Sequence, residues 1–207
     1  MVLFIYEKKD GAVYIPHLDI LRAVVRTIRR AGLDVKYSEG FNPHMLLYFS
    51  PPIPVGISSE CEQCAAVTDE PPERFMERYN AAAVNGLKIL SAEFVQTANP
   101  AGDVKAAEYE IGFKGAGLLP FEKILKEKSL AAKWRDKEGG EAVKDIRGGI
   151  YRIESAGKDT LRCVLAAGND NLRADRFIQA AAAYAGIDVS DINVVITRKK
   201  LYNKIPV

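Results

Sequence analysis

The order in which two hydrophobic periods alternate along the chain constrains its fold more than any other feature. Residues 2–8, "VLFIYEK", alternate with a period of two and read as a strand that ends at the "KKDG" turn. A short "VYI" strand follows, and residues 17–31 then switch to a helical period, with Pro16 at the start and Gly32 at the stop. "LDVKY", "MLLYFS" and "ECEQCAAVT" read as strands, the last two separated by the proline-rich "PPIPVG". "PPERFMERYNAAAV" is helical, and "LKILSAEFV" closes the half as a strand. The order β-α-β-β-α-β is that of a split βαβ unit.

"QTANPAGD" has no periodicity and reads as a linker. Beyond it come a strand "AEYEIGF", a helix "LPFEKILKEKSL", a strand "AAKWRDK" and a hairpin of "GGIYRIES" with "TLRCVLAA" across "AGKD". A helix "NLRADRFIQAAAAYAG", capped by Asn171, precedes the last strand, "INVVITRKKLY". The expected architecture is therefore α+β, with two tandem ferredoxin-like domains at 1–97 and 105–207.

On the helix over 17–31, Leu18, Ile20, Leu21, Val24, Val25, Ile28 and Ala31 fall on one side. Asp19, Arg22, Arg26, Arg29 and Arg30 fall on the other. Such a face can be merely solvated. Four arginines with no lysine favour forked contacts to phosphate or carboxylate.

The loop that follows, "KYSEGFNPH", gathers recognition chemistry. Gly40 permits an unusual turn, and Pro43 pushes Asn42 towards extended backbone. Tyr37, Phe41 and His44 can stack on flat rings, and Ser38, Asn42 and His44 can form hydrogen bonds. Equally, Phe41 can plug the core and Tyr37 can end a strand. The chain's two histidines, His17 and His44, flank helix and loop and could face one cleft.

Net charge is only +2, so an anion site must come from local clustering. No apolar run approaches the ~20 residues of a membrane span, and the N-terminus is not read as a signal peptide. Three cysteines without a secretion signal point to the cytoplasm. Cys61 and Cys64, three apart on a strand, point to opposite faces, so neither a metal site nor a redox pair is expected, and no cofactor is implied. No phosphate-binding loop, nucleophile elbow or dinucleotide fingerprint occurs.

The stretch "HLDILRAVVRTIRRAGLDVKYSEGFNPHMLLYFSPPIPVGISSECE" resembles the bacterial radical-SAM-linked proteins, a family of unknown function, most strongly over residues 17–60. The likeness continues more loosely through "AAEYEI", "DIR" at 145–147 and "ITRKKLY". The family's motif positions fall on His17, Asp19, Arg22, Arg29, Arg30, Tyr37, Ser38, Gly40, Phe41, Asn42, Pro43, His44 and Gly56. After the histidine the chain has Met45 and Leu46 in place of a proline and a basic or polar residue. The resemblance implies a radical SAM enzyme as partner. The chain lacks the C-x-x-x-C-x-x-C motif of such enzymes, which makes it an accessory protein on this reading.

Three functions fit these residues. The first is a non-catalytic, RNA-facing accessory protein, in which Arg22, Arg26, Arg29 and Arg30 meet phosphates and the 37–44 loop reads a base or end, with "TRKK" and Lys204 extending the basic track. The second is a metal-independent endoribonuclease of the CRISPR repeat-processing type, with His44 or His17 as general base and Tyr37 assisting. The third is a purely protein-binding adaptor whose arginines dock on an acidic partner.

Overall fold

The computed structural model describes residues 1–100, 102–114, 121–135, 139–188 and 193–206. The fold is α+β, and the chain divides into two compact units, Met1–Val104 and Lys105–Val207.

The first unit runs β1 (Val2–Lys8), α1 (His17–Arg30), β2 (Leu47–Phe49), β3 (Ser58–Ala66), α2 (Pro72–Ala82) and β4 (Ile89–Phe94). Its strands lie in the order β4-β1-β3-β2, every neighbouring pair antiparallel. Alternation on β1 puts Val2, Phe4 and Tyr6 on the helix side, where Phe4 meets Phe75 and Tyr79 of α2 at ring separations of 5.4 and 5.9 Å. Ile20, Val24 and Ile28 of α1 complete this core, spaced to form one buried stripe.

Several local expectations change. "VYI" is no strand: Asp10–Tyr14 form a 3-10 turn that begins at Asp10, whose φ is 51°. "LDVKY" contributes only a single bridge, Tyr37 to Met45, because Leu33 and Val35 turn inward to close the end of the core. Leu18 is 65 % exposed and belongs with the arginines, not with the apolar stripe.

The second unit runs β5 (Ala106–Lys114), α3 (Phe121–Lys126), β6 (Ala131–Arg135), β7 (Glu141–Asp145), β8 (Ile150–Gly157), β9 (Thr160–Ala166), α4 (Ala174–Ala185) and β10 (Asn193–Tyr202). Its main sheet has the antiparallel order β10-β5-β9-β8. β6 and β7 form a separate hairpin, and β7 was not expected from the sequence. Phe113, Phe121 and Phe177 link sheet and helices at ring separations of 5.8 Å. The opposite sheet face carries an ion-pair network around Glu108, which takes Arg152 at 2.8 Å and Arg162 at 3.8 Å.

Asn171 does not cap α4. Arg173 occupies that position and makes no side-chain cap bond. The helix expected at 119–130 is shorter, and its first two residues lie outside the described ones, as do Ala101, the end of "AAKWRDK" and Ile192.

Candidate functional site

α1 places three arginines together. At about 100° per residue, Arg22, Arg26 and Arg29 fall within about 60° of arc on the solvent side, with Leu18 beside them. All three arginines are exposed. Arg22 holds Asp19 at 2.8 Å, an exposed pair of the kind that contributes little to stability. Among the described residues, Arg26 and Arg29 have neither an ion-pair nor a hydrogen-bond partner. Arg29, in the last turn, is favoured by the helix dipole.

Arg30 behaves differently. It lies about 40° further round the helix, towards α2. Its Nη2 donates to Thr27 Oγ1 at 3.0 Å and to the Ala82 carbonyl at 3.0 Å. Arg78 of α2 makes the reciprocal contact, donating to the Gly32 carbonyl at 3.0 Å. Arg30 therefore clasps the two helices together, and the stripe available to a ligand is Arg22, Arg26 and Arg29.

The chain then folds into a closed loop. Lys36 N donates to Val67 O at 2.8 Å and Leu46 N to Lys36 O at 2.9 Å, which anchors both arms of the loop beside the end of β3. Above that anchor Ser38 N donates to His44 O at 2.8 Å, and His44 N donates back to Ser38 Oγ at 3.1 Å. Ser38 Oγ and His44 Nδ1 share a further hydrogen bond of 2.9 Å. Ser38 and His44 thus clip the loop shut, and Glu39, Gly40, Phe41, Asn42 and Pro43 form an exposed tip. Tyr37 is 44 % exposed at the base. Met45, which follows His44, is a core residue.

His17 opens α1 and packs edge-on against Phe49, with ring centroids 6.5 Å apart, whereas His44 bonds to Ser38 in the loop.

Near His17 lies a cluster that sequence reasoning missed. Tyr6, Lys8, His17, Ile20, Ile53 and Glu62 surround a cavity of about 10 Å³, space for about one water. Lys8 and Glu62 are buried, and Lys8 Nζ reaches the Pro54 carbonyl at 3.5 Å. Alternation along β1 sets Lys8 on the same side as Val2, Phe4 and Tyr6, and a bulge in β3 shifts the register opposite it, so that Tyr6 pairs with Glu62 but Lys8 with Ser59. The sequence signal was faint: one lysine of a Lys-Lys pair and one of two glutamates on the same strand.

Cys64 lies in the helix-side core of β3, where burial pushes its thiol pKa well up. Cys61, three residues away, bonds weakly to Ser59 Oγ at 3.7 Å. All three cysteines are free thiols, and among the described residues no group of His, Cys, Asp and Glu is placed to hold a metal ion. Among the described residues no helix is long and apolar enough to cross a membrane. The second unit holds a cavity of about 360 Å³ whose lining mixes Lys144, Arg173 and Arg176 with Asp145 and Asp170. Arg173 there is already bonded to Asp175 at 3.0 Å, so the cavity shows no clear excess of available positive charge.

"DIR" at 145–147 has a structural task. Asp145 Oδ1 accepts from Leu130 N and from Arg147 N, each at 2.9 Å, and Arg147 Nη2 donates to Leu125 O at 2.7 Å. Together the two residues tie the β6–β7 hairpin to α3.

No protein of curated function matches the chain. In fold it is similar to a chain of the solved "Crystal Structure of a Cbf5-Nop10-Gar1 Complex", with a TM-score of 0.50 and 13% identity. That match covers 97% of this chain but 48% of the other, so the chain spans about half that protein's length, and at such identity the likeness is one of fold alone. The family profile "Uncharacterized protein conserved in bacteria (DUF2344)" matches residues 2–174, and the chain belongs to that bacterial family.

Proposed function

We propose that this chain is a non-catalytic RNA-binding accessory protein whose phosphate contacts are made by Arg22, Arg26 and Arg29. One observation carries the reading: three exposed guanidiniums within about 60° of one helix face, two of them without a partner among the described residues. Guanidinium forks match phosphate oxygens, and an array along a helix suits a repeating polyanion better than a single carboxylate. The strand order of each unit supports reading both as ferredoxin-like domains, 1–97 and 105–207, joined by the linker between them. A radical SAM enzyme as the partner served by this binding, and a cytoplasmic location, belong to the same proposal. In the endoribonuclease alternative His44 or His17 would be the general base with Tyr37 assisting; the hydrogen bond that His44 shares with Ser38 and the packing of His17 on Phe49 favour the non-catalytic reading.

The test is a salt titration of affinity for a fluorescent oligoribonucleotide. Each phosphate contact to a single strand contributes about 0.7 to the slope of log K against log salt, so Arg22→Ala/Arg26→Ala/Arg29→Ala should flatten the slope by about 2. A wild-type protein that fails to bind, or a triple variant with an unchanged slope, refutes the proposal.

A further inference from the structure

The tip of the clipped loop presents a side chain that the fold does not use. Phe41 has a relative exposure of 111 %, more than a phenylalanine shows in an extended reference chain, so the unit's core gains nothing from its ring. The backbone beneath it is nonetheless held. The Ser38–His44 bonds close the loop, and Pro43 restrains Asn42 on the far side. Gly40, immediately before the ring, has φ of 108°, a conformation that side-chain-bearing residues avoid. An apolar ring held out on a fixed support is arranged to meet a flat apolar partner.

We propose that Phe41 is a stacking platform for one unpaired nucleobase, so that the ligand is single-stranded RNA or RNA with a base displaced from its helix. The inference rests on the RNA-binding reading above and adds the ligand's class to it. Phenylalanine has no donor or acceptor, so the contact selects an accessible base face and not a sequence. In a continuous A-form duplex those faces are covered by neighbouring bases, and the deep, narrow major groove does not admit side chains. The loop begins six residues after Arg30, and buried Leu33 and Val35 hold the connecting chain against the unit. The tip therefore leaves the same end of the unit as the last turn of α1, which bears Arg29. A cation for the backbone and a ring for the base, at one end of the unit, are the two parts of a single-strand site.

The experiment uses the full chain and a short oligoribonucleotide carrying one 2-aminopurine, single-stranded or annealed to its complement. The wild type is expected to bind the single strand more tightly than the duplex and to quench the 2-aminopurine on binding. Phe41→Ala should weaken single-strand binding roughly 5- to 150-fold and abolish the quench, while Phe41→Trp retains both. Thermal unfolding of Phe41→Ala should match the wild type, because the ring has no core contact to lose. Equal affinity and equal quench in Phe41→Ala, with arginine-dependent salt sensitivity intact, overturn the stacking inference and leave RNA binding standing. No salt-sensitive binding by the wild type overturns both.

Discussion

Tyr79→Phe should make the first unit more stable, although it removes a polar group from a well-packed core. Tyr79 is fully buried, its ring stacked on Phe75 at 6.5 Å and 14° and tilted against Phe4 at 5.9 Å. Among the described residues its hydroxyl has no hydrogen-bond partner. Burial raises the pKa of this phenol far above the ordinary tyrosine range. The Thr27 hydroxyl pulls the pKa the other way without reaching hydrogen-bond geometry, and it already accepts from Arg30 Nη2. A buried hydroxyl left unpaired costs about 1–3 kcal/mol of desolvation. Phenylalanine keeps both ring contacts and forfeits only the few dispersion contacts of one oxygen, a few tenths of a kcal/mol. The net expectation is a gain of about 1 kcal/mol, or about 4 °C in Tm for a unit of this size.

The assay must report on the first unit, since a chain of two units need not unfold in one transition. Trp134, the chain's one tryptophan, lies in β6 of the second unit, so its fluorescence follows the wrong half. Hydrogen exchange at the β1 amides follows the right one. Slower exchange in β1 and an unchanged tryptophan transition are expected. A loss of 1 kcal/mol or more would refute the argument, because it would mean that the hydroxyl holds a partner.

Gly86→Ala should be severe, on the order of 3 kcal/mol, because φ there is 80° and the added Cβ would stand 2.1 Å from the Lys9 carbonyl oxygen. Gly40→Ala, with φ of 108° but nothing within 4 Å of the new Cβ, should cost about 1 kcal/mol, and comparing the two by thermal unfolding separates clash from strain. Asp145 has its pKa lowered by hydrogen bonds from the backbone of Arg147 and then Leu130. Its contribution is therefore present above the ordinary Asp range near pH 4 and is lost as pH falls through the depressed folded value. Urea unfolding followed by Trp134 fluorescence should lose stability over that window, and Asp145→Asn should flatten the loss.

The sequence carried the long elements because their periods were unbroken. α1 kept its 3.6-residue stripe and ends one residue before the expected boundary, and β3, β9 and β10 lie within two residues of theirs. What could not be read depended on where the chain had to go. "VYI" has strand propensity, but it lies between the end of β1 and Pro16, where the backbone must reverse, and Asp10 at positive φ starts a 3-10 turn instead. β7, "EAVKD", has one isolated apolar pair among charges and forms only because β6 is available to pair with it. Lys8 follows the alternation of β1 inward behind Tyr6, but a lysine at a strand end reads as solvent-facing, and the β3 bulge opposite it leaves no trace in residue types.

The candidate site shows the same division between residue type and assignment of roles. Periodicity could collect four arginines on one side of α1, but 40° of helical arc separates Arg30, bonded to α2, from Arg26, which has no such bond. In the loop, Ser38 and His44 looked like contact groups because both are polar and near an arginine helix. The fold turns them towards each other, and their bonds hold the tip's shape. Phe41 looked equally suited to core or ligand until its exposure decided between them. A charged or aromatic residue is thus assigned to recognition by what is left after the fold has taken its own contacts. On that basis Arg30, Ser38 and His44 have tasks in the fold, while Arg26, Arg29, Tyr37, Phe41 and Asn42, with Arg22 in its exposed pair to Asp19, remain proposed contacts.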